Sequence, residues 1–344
     1  MVEVKETLDA TYTETDDGDR TLNDYSLTNI LGSGSFGVVY LGINSKTGAK
    51  YAIKEFSKTR LRKKDMFSRQ AFGFRGRGRG RGRGIGGPPQ PPPSAIEYIR
   101  GEVAILKKLN HPNIIKLYEV LDDPRQDSLY MVMELCEKGV VMDVGLDKTC
   151  DPYSEDAARK LFCQAVLGIE YLHEHEISHR DIKPDNLLLT SDDVLKIVDF
   201  GVSEMFVASG NDRSKKSAGS PAFFAPEMCV AHHGEMSMKA CDVWALGVTL
   251  HCLVFGKLPF VAVSILELYE VIRTAVPEIP KTASRELRNL IEQMLEKDPE
   301  KRISIAGIKT HHWLTQDGKQ TLPSTHENTD SIGTRITHVT EDEM

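Results

Sequence analysis

His179-Arg180-Asp181-Ile182-Lys183-Pro184-Asp185-Asn186-Leu187-Leu188-Leu189, followed after a turn by Lys196-Ile197-Val198-Asp199-Phe200-Gly201, is the stretch on which the reading of this chain turns. The apolar runs Leu187–Leu189 and Leu195–Val198 read as strands that fix the loops between them. Those loops carry Asp181, Lys183, Asn186 and Asp199. A lone aspartate in a loop is by default a solvated surface charge. These four in this order supply a carboxylate to orient a hydroxyl, a cation for a migrating anionic group, and two oxygen ligands for a divalent metal. Phosphoryl transfer asks a protein for such positioned charge rather than for covalent chemistry.

Toward the N-terminus stands Gly32-Ser33-Gly34-Ser35-Phe36-Gly37-Val38-Val39. Taken alone, a Gly-x-Gly-x-x-Gly is as compatible with an ordinary turn or a dinucleotide-binding loop. A dinucleotide fold places a helix directly after the glycines and an acidic ribose partner about twenty residues on. Here a second strand follows, and Lys54 comes in Tyr51-Ala52-Ile53-Lys54 on a third. A glycine hairpin lets backbone amides close over phosphates, and an ammonium on the next strand pairs with their charge. Lys54 in an apolar strand needs a counter-charge, for which Glu102 on the following helix is the best candidate. Periodicity alone does not choose between that role and a solvated helix position, because Val103 and Leu106 are apolar whereas Gly101 and Lys107 are not.

Around these motifs the 344 residues divide into recognisable zones. Residues 1–24 are polar and acidic and are expected to be disordered. Residues 25–57 alternate as three strands, with Ser45–Gly48 as a hairpin turn. Eleven Lys and Arg lie between 58 and 83 against Asp65 alone, so this segment carries about +10 in a chain of net charge −7. It merges into five Arg-Gly repeats and the proline run PPQPPP, an insertion at about 68–93 that cannot bury a core. Ile96, Ile99, Val103 and Leu106 recur at helical spacing behind a Ser94 cap, and strands follow around Ile114–Leu121 and Leu129–Leu135. From Ser154 the pattern turns helical, including a buried helix over Trp244–Phe255, an amphipathic one over Ser284–Leu295 and a short one over Ile305–Trp313. The predicted fold is α+β and bilobal: a β-rich N-lobe with one main helix (25–135), a mainly helical C-lobe (136–315) and a polar acidic tail (316–344). No basic, apolar leader and no uninterrupted apolar run of membrane-spanning length is evident, and the expectation is a cytoplasmic protein, with nuclear residence also compatible. The six cysteines match neither a metal pair nor a disulfide framework and read as free thiols.

The combined motifs, from about Tyr25 to Trp313, resemble the eukaryotic protein kinase superfamily. The resemblance implies ATP and Mg2+ as cofactors, with the nucleotide between the lobes. Gly32, Ser33, Gly34, Ser35, Phe36, Gly37, Val38 and Val39 would cover the phosphates, Leu31 would also contact ATP, and Lys54 would pair with Glu102. Asp181 would be the catalytic base, Lys183 would stabilise the transferred phosphoryl, and Asn186 and Asp199 would hold magnesium. Val39, Ala52 and Leu188 would sandwich the adenine, Met133 would be the gatekeeper, and Glu134 and Cys136 would supply the hinge carbonyl and amide. In the activation segment Ser217 stands at the usual phosphoacceptor position, the Ser220 hydroxyl where the family bonds base and lysine, and Glu227 where the family pairs an arginine, here Arg302. A catalytically silent pseudokinase scaffold is the alternative; such proteins usually lack the lysine or one of the two aspartates, and Lys54, Asp181 and Asp199 are all present.

Lysine two residues after the base, in Asp181-Ile182-Lys183, marks the serine/threonine class. The basic Gly/Pro-rich insertion, Glu119-Val120-Leu121-Asp122-Asp123-Pro124 and Gly219-Ser220-Pro221-Ala222-Phe223-Phe224 together resemble the calcium/calmodulin-dependent protein kinase kinases, including fungal members. This implies other protein kinases as substrates, calmodulin-dependent or AMP-activated-type, phosphorylated on an activation-loop threonine. The Arg-Gly repeat has a rival reading as an RNA-binding segment, with Phe72 and Phe74 available to stack, which ranks below substrate docking. In that family a basic amphipathic calmodulin-binding helix follows the catalytic domain, whereas this sequence closes on Thr340-Glu341-Asp342-Glu343-Met344. Calmodulin binding therefore does not follow from the resemblance, and a constitutively active catalytic domain is the expectation.

Overall fold

The computed structural model describes residues 4–16, 18–33, 37–59, 95–123, 125–205, 212–214, 219–230 and 234–329. The insertion expected at 68–93, Gly34, Ser35, Phe36 and Ser217 lie outside them. The chain forms two compact units. One comprises the described residues of 2–107 and 116–135, the other Lys108–Ile115 with the described residues from Cys136 onward.

The first unit is built on an eight-stranded sheet in the order β1-β7-β8-β6-β5-β4-β3-β2. Its strands are β1 (Lys5–Thr7), β2 (Tyr12–Glu14), β3 (Arg20–Leu22), β4 (Tyr25–Ser33), β5 (Gly37–Asn44), β6 (Lys50–Ser57), β7 (Leu117–Asp122) and β8 (Ser128–Met133). Alternation along β4 to β6 puts Tyr25, Leu27, Tyr40 and Ile53 on one face, where they pack with Leu121, Tyr130 and Val132. Helix α1 (Ala95–Lys108) buries Ile99, Val103, Ala104, Ile105 and Leu106.

Residues 1–24 were expected to be disordered, yet β1 to β3 extend the sheet at both its edges. The net acidity of the segment hides strand-forming threonines and two apolar anchors, Ala10 and the fully buried Leu22. Strand β1 runs parallel to β7. The buried Glu119 accepts from Lys5 Nζ and Thr7 Oγ1, both at 2.7 Å, and from Tyr25 Oη at 2.9 Å. Lys107 on α1 pairs with Glu6. Tyr12 stacks on Tyr130 with ring centroids 6.5 Å apart.

The second unit is mainly helical, with α2 (Glu155–Glu174), α3 (Met238–Phe255), α4 (Ile265–Thr274), α5 (Arg285–Met294), α6 (Ile305–Thr310), α7 (His312–Thr315) and α8 (Thr325–Thr329). Helices α2 to α6 each start on a serine, Ser154, Ser237, Ser264, Ser284 and Ser304, whose hydroxyl accepts from the backbone N–H three residues on. Helix α3 is long and apolar enough to cross a membrane, but 83% of it is buried inside the protein and it serves as a core helix. It stops at Gly256, φ 67°, where a Cβ would lie 1.9 Å from the Cys150 carbonyl oxygen. Short strands carry the loops: β9 (Gly139–Val140), β10 (Ile177–Ser178), β11 (Leu187–Leu189), β12 (Leu195–Ile197), β13 (Glu204–Met205), β14 (Arg213–Ser214) and β15 (Met236–Ser237). All six cysteines are free thiols.

Within the expected polar tail, α8 packs back onto α2; residues 330–344 lie outside the described residues. Asn328 and Thr329 in α8 are buried: Asn328 Nδ2 bonds Leu167 O and Glu170 Oε2 on α2, and Thr329 Oγ1 donates to Thr325 O within α8.

Candidate active site

In the sheet unit, Lys54 lies on β6 between Val39 of β5 and Met131 of β8. Its Nζ is 3.0 Å from Glu102 Oε1, with the two side chains 15% and 4% exposed. Burial decides what periodicity left open: Glu102 faces inward, and an unpaired carboxylate there would be costly. The Lys54 ammonium also stands 4.9 Å from the Phe56 ring centroid. Ala52 pairs across strands with Leu41 and Met133, and Glu134 donates its N–H to Lys116 O at 2.9 Å. Leu31 is half exposed, and Val38 and Val39 are half-buried on β5. Gly32 has open space where a Cβ would stand; at Gly37 it would lie 1.7 Å from Glu55 O. Close packing of β5 on β6 thus demands glycine at 37, independently of any ligand.

In the helical unit, β11 and β12 pair antiparallel, with Leu188 opposite Lys196. The Cys136 carbonyl accepts from Gly139 N at 3.1 Å. Val198 N donates to Asn186 O at 3.0 Å, which sets Asp199 beside Asn186. Asn186 Nδ2 donates to Asp181 O at 2.7 Å and to Asp181 Oδ2 at 3.0 Å. Lys183 Nζ lies 2.9 Å from Asp181 Oδ2 and donates to Ser220 Oγ at 2.6 Å. Burial alone would raise the Asp181 carboxyl; the Lys183 ammonium, the Ser220 hydroxyl and His179 together outweigh it and hold it below its ordinary value. Asp181 Oδ1 is buried and has no hydrogen-bond partner, so one oxygen of the carboxylate remains open to accept.

The backbone of these loops is strained at two of its residues. Arg180 and Asp199 have φ of 70° and 66°, a region that costs side-chain-bearing residues about 1–3 kcal/mol. The sequence reading missed the residue that holds the first of them. Asp242, 1% exposed on α3, accepts from His179 N at 2.9 Å and from Arg180 N at 2.8 Å, and pairs with His173 Nε2 at 2.9 Å. The signal was present, since a carboxylate inside an otherwise apolar helix must find donors. Gly219, φ 112°, was likewise unassigned; a Cβ there would stand 2.3 Å from Arg180 O.

In the activation segment, Ser203 Oγ donates to His179 O at 3.2 Å, and β13 pairs with β10. Glu227 receives two bonds from Arg302, at 2.8 and 2.9 Å, and the Arg302 side chain is 1% exposed. Among the described residues no three His, Cys, Asp or Glu side chains are grouped to hold a metal unaided. A hard-oxygen pair remains: Asn186, whose amide nitrogen is already engaged and whose carboxamide oxygen is left as donor, and the Asp199 carboxylate. Two protein oxygens, with phosphate and water completing the shell, fit magnesium.

The protein kinase domain family matches residues 90–314. The calcium/calmodulin-dependent protein kinase kinase cmkC of Emericella nidulans is 43% identical over 359 aligned positions, covering 99% of this chain and 67% of the relative. A calcium/calmodulin-dependent protein kinase kinase of Caenorhabditis elegans is 40% identical, covering 94% and 57%. The serine/threonine-protein kinase ppk34 of Schizosaccharomyces pombe is 37% identical, covering 88% and 86%. The chain thus spans roughly three fifths of the length of the two kinase kinases. With the bilobal α+β fold and these matches together, the chain belongs to the protein kinase family and is a serine/threonine protein kinase resembling the calcium/calmodulin-dependent protein kinase kinases.

Proposed function

We propose that this kinase transfers the γ-phosphoryl of ATP, with magnesium, to hydroxyls in the activation loops of other protein kinases. The observation that carries the catalytic assignment is the Asp181 carboxylate held ionised by Lys183, with one oxygen unpartnered. Bound ATP and magnesium supply the transferable phosphoryl and neutralise its charge. Asp181 orients the substrate hydroxyl and takes its proton as the oxygen forms the new P–O bond and ADP leaves. The Lys183 ammonium faces the charge that builds on the phosphoryl, and Asn186 and Asp199 offer the metal their oxygens. Glu102 holds Lys54 extended so that its ammonium meets the nucleotide phosphates. Val39, Ala52, Met133 and Glu134 in the sheet unit, and Leu188 and Cys136 in the helical unit, are the residues the family resemblance implies for adenine.

The substrate assignment is supported by the names of two relatives as kinase kinases. Incubation with labelled ATP, magnesium and a catalytically inactive calmodulin-dependent or AMP-activated-type kinase, followed by site mapping, tests it. One labelled activation-loop threonine is expected. Scattered labelling equal to that of an unrelated basic protein rejects the substrate class, and absence of transfer to any protein rejects the catalytic roles. Repeating the assay with calcium and calmodulin shows whether the dependence in the relatives' names extends to this chain.

A further inference from the structure

Helix α8 and the residues before it make a buried polar cluster on α2. Asn328, 6% exposed, uses its whole side-chain amide: Nδ2 donates to Leu167 O and to Glu170 Oε2, both at 2.9 Å, and Oδ1 lies 3.0 Å from His111 Nε2. Glu170, 4% exposed, also accepts from Thr325 Oγ1 at 2.7 Å and from Lys309 Nζ at 2.7 and 2.8 Å. The His111 tautomer follows from its two partners. Asn113 N donates to Nδ1 at 3.0 Å, so the proton sits on Nε2 and is given to Asn328. The His111 ring stacks on Tyr171 with centroids 4.8 Å apart.

From His111 the contacts run onward toward the catalytic loops. Asn113 Nδ2 donates to Leu195 O at 3.0 Å, Ile197 N to Asn113 O at 2.9 Å, and Ile115 N to Ile197 O at 3.0 Å. The loop 110–115 is therefore bonded along β12, the strand that leads directly into Val198 and Asp199.

Resting on the phosphoryl-transfer role proposed for Asp199, we propose that Asn328 is a positioning residue for that reaction, fixing His111 as the neutral Nε2–H tautomer and, through the 110–115 loop, the strand that delivers Asp199. A segment beyond the helices of the kinase lobe is thereby a working part of the enzyme. Anything that lifts α8 from α2 lowers turnover. The groups facing His111 are Asn328 on α8, Glu170 and Tyr171 on α2 and His175 at its C-cap, and Lys196 on β12, with Lys309 on α6 reaching it through Glu170. Burial is the main influence and holds the imidazole below its ordinary value of 6.5, which agrees with a ring that must stay neutral to accept from Asn113.

The test uses the full chain with Asn328→Ala, Asn328→Asp and the milder Thr325→Val, which removes a single bond to Glu170. Asn328→Ala is expected to speed hydrogen exchange at the amides of Asn113, Ile115 and Ile197 while leaving β4 to β6 unchanged. It should lower kcat about tenfold with the peptide KM held within about twofold. Asn328→Asp places a carboxylate on His111, raises its pKa, and should move the acid limb of the rate profile up by about one pH unit, because protonated Nδ1 no longer accepts from Asn113. Thr325→Val should change exchange and kcat in the same direction by a smaller factor, and it decides the matter should Asn328→Ala fail to fold. Unchanged exchange, kcat and acid limb in the folded variants, with only a lower melting temperature, would overturn the proposal.

Discussion

Asp181 illustrates how one residue is tuned by opposing effects. It is buried, which favours the neutral acid, and it stands against Lys183, the Ser220 hydroxyl and His179, which favour the carboxylate and together hold its pKa below the ordinary value. Asp181→Asn keeps the side-chain volume and removes the proton acceptor. Turnover is expected to drop by about a thousandfold, measured as initial rates on a peptide. The variant also tests the electrostatics. A carboxyl whose folded pKa is depressed stabilises the fold above its unfolded value of 3.8, and that contribution is lost as pH falls through the folded value. The stability gap between wild type and Asp181→Asn should accordingly be constant from neutral pH to about 5 and shrink below about 4, measured by urea unfolding at each pH.

At the scale of elements, two ties join segments far apart in sequence. The N-terminal strands are held by Leu22, which is 0% exposed in the core between β3 and the rest of the sheet. Leu22→Ala should cost about 3 kcal/mol by denaturant unfolding, whereas a mobile N-terminal segment would make it neutral. The second tie is Arg302, which binds Glu227 twice, donates to Ala240 O at 2.8 Å and lies 5.2 Å from the Trp244 ring centroid. Arg302→Ala leaves the half-buried Glu227 without its cation. A loss of about 3–5 kcal/mol is expected, with kcat falling as the activation segment loosens from α3. Arg302→Lys should recover only part of this, because an ammonium cannot reproduce the paired geometry.

For the whole molecule, the division of labour between units sets what can be removed. The segment between β6 and α1 holds the eleven basic residues and the proline run, and substrate docking is the role its sequence favours over RNA binding. Removing residues 68–93 should leave the rate on a short peptide within about twofold and reduce that on an intact kinase substrate about tenfold, because docking raises the local concentration of the substrate. Equal losses on both substrates would show that the segment supports the fold instead.

The order Asp181, Lys183, Asn186, Asp199 was legible in sequence because the chemistry needs those groups at loop ends that flanking strands fix locally. The apolar α3 and the alternation of β4 to β6 were legible for the same reason: each depends on neighbours a few residues away. Tertiary structure alone decided the inward face of Glu102, the grip of Asp242 on His179 and Arg180, the glycine requirement at Gly37, and the ordering of β1 to β3 and α8. In each case the deciding partner is distant along the chain, as with Glu119 for Lys5 and Glu170 for Asn328. Composition over residues 1–24 argued for disorder, and over 316–344 for a polar tail, because composition averages over a segment. Burial of Leu22 and Asn328 prevails because one well-placed side chain, meeting a complementary site, outweighs that average.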